Sequence, residues 1–132
     1  MKKYLLILLL LIGSITTNAQ TYYYKTFQFA YKQVNSYGNW SNWTDWEDSN
    51  LYVTIDFDSD VVKIYSSDTQ VYRITQYVKK YTDEYGGKQA EFRFIDQDGD
   101  RGTMRLRIEK SGTSQIYIQF ADVMWVYNIR KV

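Results

Sequence analysis

The feature that most constrains this chain is an alternation of apolar and polar residues that recurs between short turn signals. In one such stretch, Val53, Ile55 and Phe57 alternate with polar neighbours, and Asp58-Ser59-Asp60 follows. Similar stretches continue to the C-terminus, and Asp98-Gly99 is a strong hairpin signal among them. A period of two places one face of a strand toward a core and the other toward solvent. The pattern predicts an all-β protein.

The predicted strands number about eight, and short turns join nearly all of them. We find no 3.6-residue periodicity long enough to predict a helix after Ala19. Short connections between successive strands favour a single antiparallel up-and-down meander. Closure of this meander into a small barrel would remove its exposed strand edges. A two-sheet β-sandwich is the alternative fold.

The alternation also predicts which residues of a strand face the same side. The first strand is a long aromatic segment from Thr21 to Lys32. The predicted one-sided sets include Phe27, Phe29 and Tyr31 on this strand and Tyr72, Ile74 and Val78 on a central one.

Residues 1–19 have the pattern of an export signal. Lys2 and Lys3 precede an apolar run from Leu5 to Ile12, and Thr17-Asn18-Ala19 offers a site for signal peptidase. The apolar run is shorter than the roughly 20 residues that span a bilayer. No Cys lies at the cleavage point, so a lipid anchor is not expected. We predict one domain over residues 20–132, periplasmic or secreted, with no membrane span after cleavage.

The composition excludes several kinds of chemistry. The chain has no His and no Cys, which removes the serine triad, the cysteine nucleophile and the usual zinc site. We therefore predict no catalytic residues, no metal site and no cofactor, and a carboxylate-dependent hydrolase using Glu47 is the weakest hypothesis. The chain carries 16 basic and 15 acidic side chains, and loss of Lys2 and Lys3 would leave 14 basic ones. A nearly neutral domain is not expected to bind nucleic acid.

A run of aspartates is similar to the start of an EF-hand loop. Asp96, Asp98 and Asp100 have the required spacing, but Arg101 and Arg107 occupy the positions that need Gly and Glu. Aspartate is also a common turn residue. We predict a solvated hairpin turn here and no metal site, and a weak surface Ca²⁺ site is the alternative.

The segment from Trp40 to Trp46 is the most unusual in the chain. Three indoles recur at every third residue, at Trp40, Trp43 and Trp46. A regular strand would place them on alternating faces, so the segment is predicted to be a shaped loop or a single helical turn. One hypothesis is an aromatic platform that binds a ligand, with Asn42 and Asp45 available to hydroxyl groups. The alternative is a hydrophobic plug that closes one end of the barrel.

The size, the absence of Cys and the meander pattern give the chain a family resemblance. It resembles the small secreted bacterial proteins that fold as lipocalin-like, or calycin-like, barrels. Gly38-Asn39-Trp40 is similar to the G-x-W pattern of lipocalins, although it follows the first strand and does not open it. The resemblance implies the barrel architecture and assigns no functional residue.

Three arginines are predicted to lie on the outer face of two adjacent strands. Arg93, Arg105 and Arg107 could form a cationic patch for a phosphate, an acidic glycan or an acidic protein. The alternative is an ordinary solvated exterior, with Glu91 and Glu109 offering cross-strand charge pairs.

Two functional hypotheses follow from these features. The first is an exported, non-enzymatic binding domain for a small apolar or sugar-like ligand, with the Trp-rich loop at the end of the barrel. The second is a protein-interaction or inhibitor domain that uses exposed Tyr and Arg faces against an envelope or host protein. An interior cavity would favour the first hypothesis, and a solid core with an exposed aromatic patch would favour the second. The sequence does not address the oligomeric state.

Overall fold

The computed structural model describes residues 21–109 and 113–132. The predicted export signal and part of the predicted turn at residues 111–113 lie outside these ranges. No helix occurs in the described residues, and so none that could cross a membrane. The strands are β1 (Thr21–Gln33), β2 (Glu47–Asp48), β3 (Tyr52–Asp56), β4 (Val61–Tyr65), β5 (Gln70–Thr82), β6 (Lys88–Asp96), β7 (Arg101–Ile108), β8 (Ser114–Gln119) and β9 (Val123–Lys131).

The strands form one antiparallel sheet that closes on itself. Each strand from β3 to β9 pairs with its neighbour in sequence, and β1 pairs with both β3 and β9. The result is an eight-stranded barrel, to which β2 adds two residues beside β1. The predicted meander and barrel are confirmed, and the β1–β9 pairing excludes the two-sheet alternative.

Alternation along the strands produces a packed interior. Alternate residues of β3, β4, β6, β7, β8 and β9 turn inward and form one contiguous core. The side chains that are almost fully buried include Ile55, Ile64, Phe92, Phe94, Met104, Ile116, Ile118 and Ile129. An eight-stranded barrel is just wide enough for side chains of this size to fill it.

The run of aspartates before β7 forms the predicted hairpin turn. The Asp96 carboxylate accepts the backbone N–H groups of Asp98 and Asp100 at 2.9 and 2.8 Å. Gly99 follows with a φ of +85°, a conformation that glycine adopts without steric cost. Oδ1 of Asp96 therefore holds the backbone of its own turn.

Two bulges in β5 change the predicted face of one residue. Thr75 and Val78 are each left out of the β5–β6 register. The alternation changes at each bulge, so the Tyr77 ring, although 52% exposed, pairs with Phe92 and packs 6.0 Å from its ring, whereas Val78 has no partner in the β5–β6 register. The predicted shared face of Val78 with Tyr72 is therefore wrong.

A bulge in β1 separates two aromatic residues that were predicted to share a face. The β1–β9 register skips Phe27. The guanidinium carbon of Arg130 lies 4.1 Å from the ring centroid of Phe27. Phe29 instead packs against the core residue Tyr127, with ring centroids 6.2 Å apart. The prediction failed because a bulge leaves the alternation of apolar residues in the sequence unchanged.

Candidate functional site

The tryptophan segment continues the sheet along the edge of β1. The N–H groups of Ser41 and Thr44 donate to the carbonyls of Gln33 and Tyr31 at 2.8 and 2.9 Å. The hydroxyl oxygens of Ser41 and Thr44 in turn accept hydrogen bonds from the backbone N–H groups of Gln33 and Tyr31, each at 3.0 Å. These bonds hold an irregular segment against β1, as expected for a shaped loop in which side-chain oxygens replace some ladder carbonyls.

The three indoles of this segment lie outside the core. Trp40 is opposite Val34, just beyond the end of β1, and is 38% exposed. Trp43 and Trp46 are 39% and 46% exposed, and none of the three belongs to the core cluster. The plug interpretation is therefore wrong, because a plug would bury these rings.

Two cations, one on β1 and one on β7, lie against the rings of a continuous strip on the outer face. The Lys32 ammonium on β1 lies 4.8 Å from the Trp43 ring centroid and 5.6 Å from that of Trp40. Trp43 meets Tyr117 of β8 edge-on at 6.3 Å, and the Arg105 guanidinium of β7 lies 4.3 Å above Tyr117. Cation–π attraction of this kind is worth about 0.5–1 kcal/mol at exposed sites. We call these five residues the aromatic strip.

Small residues on the outer face allow the strip to cross the sheet. The register aligns Ala30 of β1 with Val126 of β9, and Val126 with Tyr117. Ala30 and Val126 are only 2% and 3% exposed, although their neighbours along each strand face the core. We attribute this burial to the Trp43 indole, which reaches from the β1 edge to Tyr117 across these two strands.

A chain of hydrogen bonds runs beside the strip and fixes one of its rings. The Asn128 amide donates to Gln28 at 3.1 Å, and the Gln115 amide donates to Asn128 at 2.9 Å. The Tyr117 hydroxyl donates to Gln115 at 2.9 Å. Tyr117 is thus held by Gln115 at its hydroxyl, by Arg105 on its ring face and by the edge-on contact with Trp43. Because its side chain is already ordered, ligand binding would cost little side-chain entropy.

The predicted arginines occupy different environments. Arg105 and Arg107 point outward from β7, and Arg93 is exposed on β6. The Arg107 Nε lies 2.7 Å from the Glu109 carboxylate, which is on the same strand. Glu91 lies opposite Arg105 in the register, but among residues 21–109 and 113–132 Arg105 has no ion pair within 4.0 Å. Arg105 therefore presents its charge to the outer face.

A pocket opens beside these two arginines. Its volume is about 320 Å³. Its lining residues are Asp83, Glu84, Tyr85, Gln89, Arg105, Arg107 and Tyr117. It therefore shares Arg105 and Tyr117 with the aromatic strip, and the two features form one continuous surface.

The Asp83 carboxylate at the pocket wall is held ionised. Partial burial acts to raise its pKa, but this effect is outweighed by hydrogen bonds from Gly87, Gln89 and Tyr85 and by the charge of Arg107. The backbone N–H groups of Gly87 and Tyr85 donate at 2.9 and 3.0 Å, and the Gln89 amide donates at 3.3 Å. The net result is a pKa below the usual value of a carboxyl group.

Other predicted site residues lie apart from the strip. Trp46 makes no ring or cation contact with another described residue. The side chains of Asn42 and Asp45 are exposed and have no hydrogen bond in the described part of the chain. Glu47 is exposed on β2 and not in a cleft.

The sequence interpretation missed two residues that complete the strip. Alternation along β8 places Tyr117 outward, and hairpin pairing places it beside Arg105, so that half of the strip was predictable. Lys32 and Trp43 meet Tyr117 only because β9 pairs with β1 and brings the chain ends together.

Comparison of the chain with protein-family models, curated proteins and solved structures finds no match. The closed eight-stranded barrel agrees with the lipocalin-like architecture, and no relative adds evidence of kinship. The possible function of the strip and the pocket is therefore judged from their own geometry and chemistry.

Proposed function

We propose that this protein is an exported, non-enzymatic binding domain that holds a sugar-like ligand on its outer face. The observation that carries the proposal is the aromatic strip, in which partly exposed rings lie next to two cations and beside polar amides. Aromatic faces pack on the apolar faces of sugar rings, while amides and cations bond to hydroxyl groups. Export is inferred from the signal-like residues 1–19 alone.

The packed interior is the outcome that favours a domain binding at its surface over a carrier with an internal cavity, so the proposed ligand site is external. Inward side chains of all the barrel strands form the core cluster, and the largest of them are almost fully buried. A carrier of a small apolar molecule would need room among these side chains. The outer face offers both rings and hydrogen-bonding groups, so a ligand rich in hydroxyl groups fits better than a small apolar one.

The rigidity of the strip supports binding without a conformational change. Tyr117 is fixed by Gln115, Arg105 and Trp43, and the hydroxyls of Ser41 and Thr44 anchor the indole segment to β1. A site that is already ordered loses little side-chain entropy when a ligand binds.

The test is binding of the purified protein to an array of immobilised oligosaccharides and polysaccharides. We expect the wild-type protein to bind at least one glycan, and W43A to bind it at least about tenfold more weakly, a loss of about 1.4 kcal/mol. The matched control is Y23A, which removes an outer ring that is 58% exposed and lies apart from the strip. Absence of glycan binding, or equal loss in both variants, would contradict the proposal.

A second candidate function, protein interaction, rests on a different surface. Tyr52 and Tyr65 lie directly opposite each other on β3 and β4 and are 55% and 43% exposed. The Lys25 ammonium lies 5.2 Å from the Tyr52 ring centroid. Exposed Tyr beside cations is typical of binding hot spots. Native mass spectrometry of the protein from its own host would reveal a protein partner, and Y52A should release that partner if this surface binds it.

A further inference from the structure

The pocket lies at the end of the aromatic strip that is farthest from Trp40. Along the strip, Trp40 and Trp43 share Lys32, Trp43 meets Tyr117, and Tyr117 is part of the pocket lining. A ligand that lies on the indoles can therefore extend into the pocket without leaving the surface.

The β5–β6 turn forms the wall of the pocket on the side away from the strip. Gln89 points outward from β6, and its amide bonds to Asp83 of the turn, so the turn folds over the outer face of the sheet. The side-chain amide oxygen of Gln89 also accepts a hydrogen bond from the Tyr81 hydroxyl, at 2.8 Å. These bonds fix this wall of the pocket.

The pocket offers hydrogen-bond donors and acceptors in balance. Arg105 and Arg107 only donate, Asp83 and Glu84 accept when ionised, and Gln89 does both. The two guanidinium groups and two carboxylates of the lining cancel in formal charge, and Arg107 is also paired with Glu109, which lies outside the lining. A hydroxyl group is both donor and acceptor, so neighbouring hydroxyls on a neutral molecule can use both kinds of partner, whereas an anion would meet the two carboxylates.

We infer that the pocket holds the terminal unit of a neutral sugar chain whose next units lie along the strip toward Trp43. The inference rests on the proposed function and adds to it the part of the glycan that is recognised and its charge. Ligand sites commonly have volumes of about 300–1,000 Å³, and this pocket is at the small end, as expected for one ring and not a chain.

The test is a ¹⁵N NMR titration of the full protein with neutral and uronate sugars. The probes are glucose, mannose, galactose and N-acetylglucosamine, their linear hexasaccharides, and uronate hexasaccharides. We expect a neutral monosaccharide to shift the Gln89 side-chain amide and the Arg105 Nε–H signals. The matching hexasaccharide should also shift the Trp43 indole N–H signal.

A pair of carboxylate variants distinguishes the loss of a pocket contact from the effect of removing one negative charge anywhere on the surface. E84A should weaken hexasaccharide binding about fivefold or more, because it removes a pocket acceptor that has no other hydrogen bond in the described residues. The matched control D98A removes a carboxylate from the β6–β7 turn and should leave binding unchanged.

The remaining outcomes separate the two claims. Indole shifts without any change at Gln89 or Arg105 would overturn the terminal-unit inference and leave the proposed function standing. Binding of uronate chains alone would overturn the neutral-sugar assignment. The absence of shifts with every probe would overturn both.

Discussion

The aromatic rings inside the barrel and those of the aromatic strip are held by different partners. Inside, Phe94 meets Tyr72 and Phe120 edge-on, with ring centroids 4.9 and 5.3 Å apart. Outside, the Lys32 ammonium and the Arg105 guanidinium lie over indole and phenol rings at 4.8 and 4.3 Å. The interior rings contact other apolar groups, whereas the outer rings are half exposed and have charged neighbours.

This difference shows which rings the fold requires. Burial of apolar area is the main source of stability, and the interior rings are where it is largest. The outer rings bury less area and are placed by contacts that solvent weakens. They are therefore the rings that are available for a ligand, and substitutions should affect the two sets by different amounts.

The largest effect is expected for F94A. Phe94 is 1% exposed and central to the interior ring contacts, so its loss leaves a cavity that should cost about 3–5 kcal/mol in the free energy of unfolding. Urea denaturation measures this loss. The control Y37A, at a ring that is 88% exposed, should change stability by less than about 0.5 kcal/mol. A similar loss in both variants would break the contrast between the two regions.

A smaller loss is expected for G102A, which tests how tightly the interior is packed. An added Cβ at Gly102 would overlap the Gln119 carbonyl oxygen and the Phe94 ring. Overpacking of this kind typically costs about 1–3 kcal/mol. Urea denaturation of G102A beside T103A, the neighbour on the outer face, measures the difference. An unchanged G102A midpoint would mean that both the Phe94 ring and the Gln119 backbone have room to move.

The next comparison, W43A with W46A, tests the strip itself. Trp43 has Lys32 and Tyr117 as partners, which together should contribute about 1–2 kcal/mol to folding. Trp46 has no such partner among the described residues, so W46A should cost less than about 0.5 kcal/mol. Thermal or urea unfolding gives both values. Equal losses would show that the Lys32 and Tyr117 contacts add nothing to stability.

A pH-dependent effect is expected under alkaline conditions for Tyr77, which lies between the two environments. Partial burial, then the hydrogen bond of 2.7 Å that it donates to Asp60, and then the charge of that carboxylate raise the pKa of Tyr77 to about 12. The folded state thus favours the neutral phenol. This stabilisation is complete below the ordinary pKa of 10.0 and is lost as the pH rises through about 12.

The variant Y77F should therefore lose less stability than the wild-type protein between pH 10 and about 12. Urea denaturation across this range measures the slope, and Y37F serves as the control for an exposed ring. A slope in Y77F as steep as in the wild-type protein would assign the alkaline loss to other groups.

Local patterns predicted most of the fold because strand formation and turns depend on near neighbours. The alternation around Val53 and Ile55 identified buried positions, and Asp98-Gly99 identified a hairpin. The same reasoning failed at Phe27 and Val78, because a bulge adds one residue to a strand and leaves the sequence pattern unchanged.

The sequence by itself determined the all-β class, the order of the strands and the unusual indole spacing of Trp40, Trp43 and Trp46. Tertiary structure alone decided that these indoles lie outside the core and that Lys32 and Tyr117 are their partners. The physical reason is the distance along the chain between the partners. Contacts within a hairpin follow from alternation, whereas the strip exists only after β9 pairs with β1 and brings distant side chains onto one face.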